Sequence, residues 1–584
     1  MQVTTLYDKE PVVSVDADGQ LCVTGWRAIG ERIRSAIEPQ GVAAIECYPG
    51  VSESDIEEGV AAHLRPHRVI RTEQALKTPA EIENLVRPLL TDDPVFGWMN
   101  DLQMAELFDP VRLEALRRDV RKPSGGVTLI IGTGASLIAP APHLLIYADL
   151  ARWEIQQRQR RGEISNLGAD NESERPSPKY KRAFFVDWRI ADRLKRQLLN
   201  RIDFLLDTND PRTPKMVQGD HFRRGLSLAA SRPFRVVPFF DPGPWGGTWM
   251  MEKFDLPPDE PNYAWGFDCV PEENSLLLGF GPHRVEIPAI DLVFFRPNEL
   301  LGDAVYRRFG AEFPIRFDFL DTMNGGNLSL QVHPLTSYIR EHFGMDYTQD
   351  ESYYLLDAAP DASVFLGLKE NVDRQQMAAD LAAAQDGGDP FPAENYVNRW
   401  PAQKHDHFLI PGGTIHCSGR NSVVLEISAT PYIFTFKLWD WGRLGLDGRP
   451  RPIHLEHGLA NIQWDRTTNW VRTNLVNQIE PLSQGACWRE EKTGLHRLEF
   501  IETRRHWFTG PTPHATGGSV NVLNLVEGEQ ALVESPDAAF DPFVVHYAET
   551  FIVPAAVERY IVTPLGDTRQ HATIKASVRS DHAG

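Results

Sequence analysis

The sequence predicts a multi-domain chain. An N-terminal α/β unit with a largely parallel sheet is followed by antiparallel β-barrel or jelly-roll domains that carry a helical insertion. Three observations lead there. The 584 residues suffice for three or four domains of roughly 100–200 residues each. Residues 1–230 alternate short apolar runs with helical periodicity. From Phe234 onward, short β-branched and aromatic runs sit between Gly and Pro breaks.

In chain order, strands are expected at 42–47, at 127–131 before Gly132, and at 143–147. A helix is expected over 190–206, where Leu194, Leu198 and Ile202 share one face. The later strands fall at 234–240, 275–280, 328–332, 353–356, 364–367, 408–411, 422–427 and 432–438. A helical insertion occupies 372–384 and is closed by Gly387-Gly388, and strands return at 520–526, 543–546 and 551–553. The expected domains are 1–230, 231–480 and 481–584. A weak repeat joins two of them: Ile410-Pro411-Gly412-Gly413 leads to His416, and Val553-Pro554-Ala555-Ala556 leads to Arg559. Two related barrels follow, of which only the first carries a histidine at that place.

Composition excludes more than it identifies. Hydrophobic residues make up 42% and charged residues 24%, as in an ordinary globular protein. Eighty acidic against sixty basic residues give a formal charge of −20, a field that repels nucleic acid. Apolar runs are too short for a membrane helix, and no signal peptide is visible. Five scattered cysteines without a CxxC pair support neither a disulfide framework nor a zinc knuckle, so the cytoplasm is expected.

One spacing carries metal chemistry. Gln331 and His333 stand two apart in a strand, so their side chains share a face with Ser329. Glu351 could add a carboxylate and His416 a second imidazole, a donor set suited to zinc or another late first-row ion.

These segments also resemble a known family. Leu328-Ser329-Leu330-Gln331-Val332-His333-Pro334, Asp350-Glu351-Ser352-Tyr353-Tyr354 and Ile410-Pro411-Gly412-Gly413-Thr414-Ile415-His416 are similar to class I mannose-6-phosphate isomerases. So are Pro244-Trp245-Gly246-Gly247-Thr248 upstream, and Val424-Leu425-Glu426-Ile427 with Phe434 to Asp440 downstream. The resemblance implies a double-cupin fold and a zinc ion held by Gln331, His333, Glu351 and His416. It further implies aldose–ketose isomerisation through an enediol(ate), with mannose 6-phosphate and fructose 6-phosphate or a related sugar as the small-molecule partner. It places Ser329 against the substrate and Lys437 in the catalytic set, where the family commonly has arginine. Gln349 stands where the family commonly has a basic residue, which bears on phosphate recognition.

In the N-terminal third, Gly125-Gly126 and Gly132-Thr133-Gly134-Ala135-Ser136 invite a phosphate-loop reading, but no lysine follows the turn. Residues 146–153 with Arg158, Arg160 and Arg161 faintly resemble nucleoside-kinase-like folds, which implies a degenerate P-loop-like domain. A sugar-sensing protein without catalysis, and a bifunctional kinase–isomerase, are the rival functions.

Overall fold

The computed structural model describes residues 6–17, 19–429 and 432–579. It divides into two units, Val12–Ala229 with Ser275–Phe295, and Met1–Pro11 with Ala230–Asn274 and Arg296–Gly584. The chain therefore exchanges segments near its expected boundary at 230. Residues 6–11 go with the C-terminal unit, where the Tyr7 hydroxyl donates to Asp268 at 2.5 Å. Beneath it the buried Arg235 bridges Asp268 at 3.3 Å and Glu549 at 2.7 Å.

The first unit is built on a seven-stranded sheet. Its five parallel strands run in the order Arg68–Arg71, Thr128–Gly132, Val42–Cys47, Leu144–Asp149 and Phe204–Asp207. Lys215–Gln218 and Cys22–Thr24 extend it antiparallel. Thr128–Gly132 and Leu144–Asp149 are buried at every position. Helices cover both faces of such a sheet, so its strands read as continuous apolar runs. Local capping starts the helices: Ser52 accepts from Asp55, and Thr78 and Glu81 form a reciprocal capping box.

Two expectations fail in this unit. The helix Trp188–Leu198 ends early, and Phe204–Asp207 is a strand rather than the tail of a helix reaching 206. Ile202 keeps the four-residue spacing across the turn, so periodicity alone carries the helix too far. Pairing with Leu144–Asp149 decides otherwise. Ser275–Phe280 is no part of a barrel either. It pairs in parallel with Val12–Asp16 and antiparallel with His283–Pro288.

The second unit contains two pairs of sheets. In the first pair, six strands run in the order His407–Ile410, Glu351–Ala358, Ser422–Ser428, Arg316–Asp321, Trp265–Cys269, Phe239–Asp241. Facing them are Val397–Pro401, Ser363–Leu368, His416–Ser418, Leu330–Val332 and Phe436–Trp439. The expected insertion is the helix Arg374–Gln385, started by Asp373 accepting from Gln375 and Gln376. The second pair combines six strands between Glu480–Gln484 and His571–Val578 with a four-stranded sheet. Its core joins Phe508, Leu523, Leu525, Phe551 and Val553 of one sheet to Ala531, Val533, Val545, Tyr560 and Val562 of the other. No helix among the described residues is long and apolar enough to cross a membrane.

Candidate metal centre

Three elements bring the candidate ligands together. Gln331 lies on Leu330–Val332, directly opposite His416 on His416–Ser418. His333 follows one residue beyond that strand. Glu351 opens Glu351–Ala358 on the facing sheet. The Gly412-Gly413 turn makes the approach possible: Gly413 has φ +85°, and its N–H donates to the His333 carbonyl at 2.8 Å. Glycine adopts that conformation at no steric cost.

The geometry is convergent. Glu351 Oε2 lies 3.0 Å from His333 Nε2, and Oε1 lies 2.8 Å from His416 Nε2. Gln331 Nε2 stands 3.2 Å from the same His416 nitrogen. Glu351, His333 and His416 are 0% exposed and Gln331 7%. Burial raises the Glu351 carboxyl, but His333 and His416 outweigh it and hold the group below the usual carboxylate range.

Both rings are anchored on the side away from this centre. His333 Nδ1 donates to the Phe434 carbonyl at 2.9 Å, and His416 Nδ1 to the Thr414 carbonyl at 2.8 Å. A carbonyl only accepts, so each Nδ1 carries a hydrogen, and in the neutral ring the Nε2 lone pair faces inward, the tautomer a metal-bound imidazole takes. Despite the short distances, His333 Nε2 and Glu351 Oε1 form no well-directed hydrogen bond with the described residues. Ligands about 2.0–2.1 Å from a tetrahedral ion stand about 3.3 Å apart, close to these separations. His333, Glu351 and His416 could therefore hold a divalent cation, and turning the Gln331 amide over presents its oxygen as a fourth donor.

The other predicted residues stand beside this set. Lys437 is opposite Gln331 across Phe436–Trp439. Burial, then the neighbouring Arg451, lower its amine to about 7. Ser329 donates to Asp440 at 2.8 Å and accepts from Arg451 at 3.0 Å. Asp440 also takes Arg443 at 2.8 Å and Arg451 at 2.9 Å. Gln349 accepts from the Phe434 N–H at 2.8 Å and turns its amide nitrogen toward Glu351 and Glu426, each at 3.4 Å. A neutral amide thus occupies the space between two carboxyl groups.

Sequence reading missed the acids on the adjacent strands. Asp318 and Glu426 pair across the sheet. Burial raises both carboxyls, opposed at Asp318 by Arg316 and reinforced at Glu426 by Asp318. The alternation Arg316-Phe317-Asp318-Phe319 was the available signal, a polar face in an otherwise apolar strand.

The N-terminal glycine turn has another use. Gly134 and Ser136 donate their backbone N–H groups to Glu46 at 2.5 and 2.8 Å, and Thr133 donates to Glu53 at 3.1 Å. Backbone donors that a phosphate would need are engaged by the chain's own carboxylates. Engaged in this way, Thr133, Gly134 and Ser136 leave the turn no backbone N–H of theirs to offer a phosphate. Beside the turn lies a cavity of about 530 Å³ lined by Ser52, Glu53, Thr72, Thr133 and Asp170, among others.

Residues 25–231 match the family model of a domain of unknown function (DUF8485). Among curated proteins, the mannose-6-phosphate isomerase of Streptococcus mutans is 26% identical over 217 residues, 37% of this chain and 63% of that protein. The mannose-6-phosphate isomerase ManA of Bacillus subtilis is 23% identical over 239 residues, 40% of this chain and 69% of its own. The chain thus spans just under two thirds of the S. mutans relative. Among solved structures, mannose 6-phosphate isomerase from Bacillus subtilis aligns with 59% of this chain and 99% of its own, at 18% identity and TM-score 0.48. Over about two fifths of its length, this chain is similar to the class I mannose-6-phosphate isomerases, as its strand motifs implied.

Proposed function

We propose that this protein is a zinc-dependent aldose–ketose isomerase acting on mannose 6-phosphate and fructose 6-phosphate or a closely related sugar. The observation that carries this reading is the buried convergence of Glu351 on two imidazoles whose Nδ1 atoms are fixed by backbone carbonyls. Gln331, His333, Glu351 and His416 would hold the ion. Held by these residues, a divalent cation would supply Lewis-acid polarisation of a sugar carbonyl and stabilisation of negative charge on its oxygen.

The remaining roles belong to the chain. Isomerisation moves a proton between adjacent carbons, which needs a base that is partly unprotonated near neutral pH. Lys437, lowered to about 7 and set beside Gln331, has that property. Ser329 presents a hydroxyl where Arg443 and Arg451 meet Asp440. Two guanidinium groups against one carboxylate leave positive charge there, which favours the phosphorylated sugar.

Metal analysis joined to an NMR screen of mannose, fructose and their 6-phosphates tests the reading. About one zinc per chain and interconversion of one aldose–ketose pair are expected. Protein that carries no divalent metal, or interconverts none of these pairs when zinc-loaded, refutes it.

A further inference from the structure

Two rows of polar side chains cross three neighbouring strands on the sheet face that carries Glu351. Backbone pairing sets Arg316 opposite Ser428, and Ser428 opposite Glu351. One pleat along, Asp318 lies opposite Glu426, and Glu426 opposite Tyr353. Residues two apart on a strand share a face. All six therefore point to the interior in which Glu351 meets His333 and His416. All are buried.

Three of them have polar atoms without a well-directed hydrogen bond to the described residues: Arg316 Nη1, Ser428 Oγ and Tyr353 OH. Ser428 and Tyr353 are 0% exposed and Arg316 3%. Native interiors pair roughly nine in ten such atoms, and these three stand on the sheet face that also carries Glu351, where a ligand can complete their bonding. His333 Nε2 and Glu351 Oε1, nearby and also without a well-directed hydrogen bond, have the chemistry of metal ligands. The other three do not. A guanidinium N–H only donates, and neutral hydroxyls donate and accept, which suits oxygen atoms rather than a cation.

Charge narrows the ligand further. Arg316 is held by Asp318 through two contacts, Nε at 3.0 Å and Nη2 at 3.3 Å. Its positive charge is balanced, and the two hydrogens of Nη1 remain to donate. Such a set matches uncharged hydroxyl oxygens better than a phosphate or carboxylate, which would need an unbalanced cation.

We propose that Arg316, Ser428 and Tyr353 form a hydroxyl-binding subsite for a polyol chain, the carbon backbone of a sugar whose carbonyl end reaches Glu351, His333 and His416. The placement of the carbonyl end rests on the isomerase reading; recognition of the hydroxyl chain does not.

The probe is a hexitol, sorbitol or mannitol, which has the hydroxyls and no carbonyl to isomerise. Calorimetric titration of the zinc-loaded protein is expected to show saturable binding. Tyr353→Phe and Ser428→Ala should each weaken it about three- to tenfold, with metal content unchanged. The Tyr353 hydroxyl stands beside Glu351 and the Ser428 hydroxyl beside Glu426, so the melting temperature of each ligand-free variant is measured alongside to separate lost binding from lost folding. Absence of hexitol binding, or binding indifferent to both substitutions in folded protein, overturns the subsite. An NMR assay of isomerisation on the same samples separates the two readings. Tyr353- and Ser428-dependent binding without turnover leaves the subsite standing and removes the isomerase. Turnover with binding indifferent to both substitutions does the reverse.

Discussion

The two β-sandwiches of the C-terminal unit differ in what they enclose. Between the sheets of the first lie Glu351, His333 and His416, with Asp318, Glu426 and Arg316 beside them, all buried. Between those of the second lie Phe508, Leu523, Leu525, Val533, Phe551 and Val562. Burying carboxyls and imidazoles is costly unless each is paired or engaged by a ligand, whereas burying apolar side chains is the main source of cohesion. The first interior is thus arranged for binding and the second for stability.

Imidazoles occur in both and sharpen the contrast. In the first sandwich, the Nδ1 atoms are tied to carbonyls and the Nε2 atoms flank one carboxylate. In the second, the His514 ring lies flat on Tyr560, with centroids 4.9 Å apart, planes 9° apart and neither nitrogen hydrogen-bonded to the described residues. It serves as a packing surface. Burial, then His506 and Lys575, push its pKa well below the ordinary histidine value.

Substitutions ranked by expected effect test this division. His416→Phe should abolish metal retention, taking zinc from about one per chain to none, with activity lost as well; metal analysis after dialysis reads it. A variant that keeps its zinc would erase the distinction. Next in size, Leu523→Ala should cost about 2–5 kcal/mol in chemical denaturation and leave the zinc content as it was.

His514→Phe should keep the metal and change stability only in acid. The unfolded chain protonates this histidine below about pH 6.5, while the folded chain does not, so folding loses stability as pH falls through that value. Removing the group removes the loss, about 1.4 kcal/mol relative to the parent at pH 5.5. Denaturation at pH 7.5 and 5.5 would show it, and equal pH dependence of variant and parent would contradict it. The smallest effect belongs to Arg559, which is exposed and paired with Asp537 at 2.8 Å. Arg559→Ala should shift stability by less than about 0.5 kcal/mol and leave metal binding untouched. A larger change would mean that the repeat position has kept a role in the second sandwich.

The strand motifs made the candidate ligands legible because alternation along a strand fixes which side chains share a face. Gln331 and His333 could be paired from spacing and Glu351 and His416 named as possible further donors, and the resemblance joined the four into one site. Arg316, Ser428 and Tyr353 could not be read in that way. They lie on three strands widely separated in the chain, and only register sets them side by side. The same limit explains the helix that overran Leu198 and the strand Ser275–Phe280 that left the barrel for the other unit. Periodicity does not reveal which neighbour a segment pairs with.

By itself, the sequence determined the α/β-then-β order, the donor residue types and the Gly412-Gly413 turn that leads to His416. All of these are local, set by side-chain alternation, by composition and by a backbone conformation glycine alone adopts freely. Tertiary structure decided that the facing sheets bring one carboxylate within 3.0 Å of two imidazoles. It also decided that Glu46 and Glu53 fill the N-terminal glycine turn and that Arg559 faces solvent. Those outcomes depend on contacts between segments far apart in the chain, and no local pattern encodes distance.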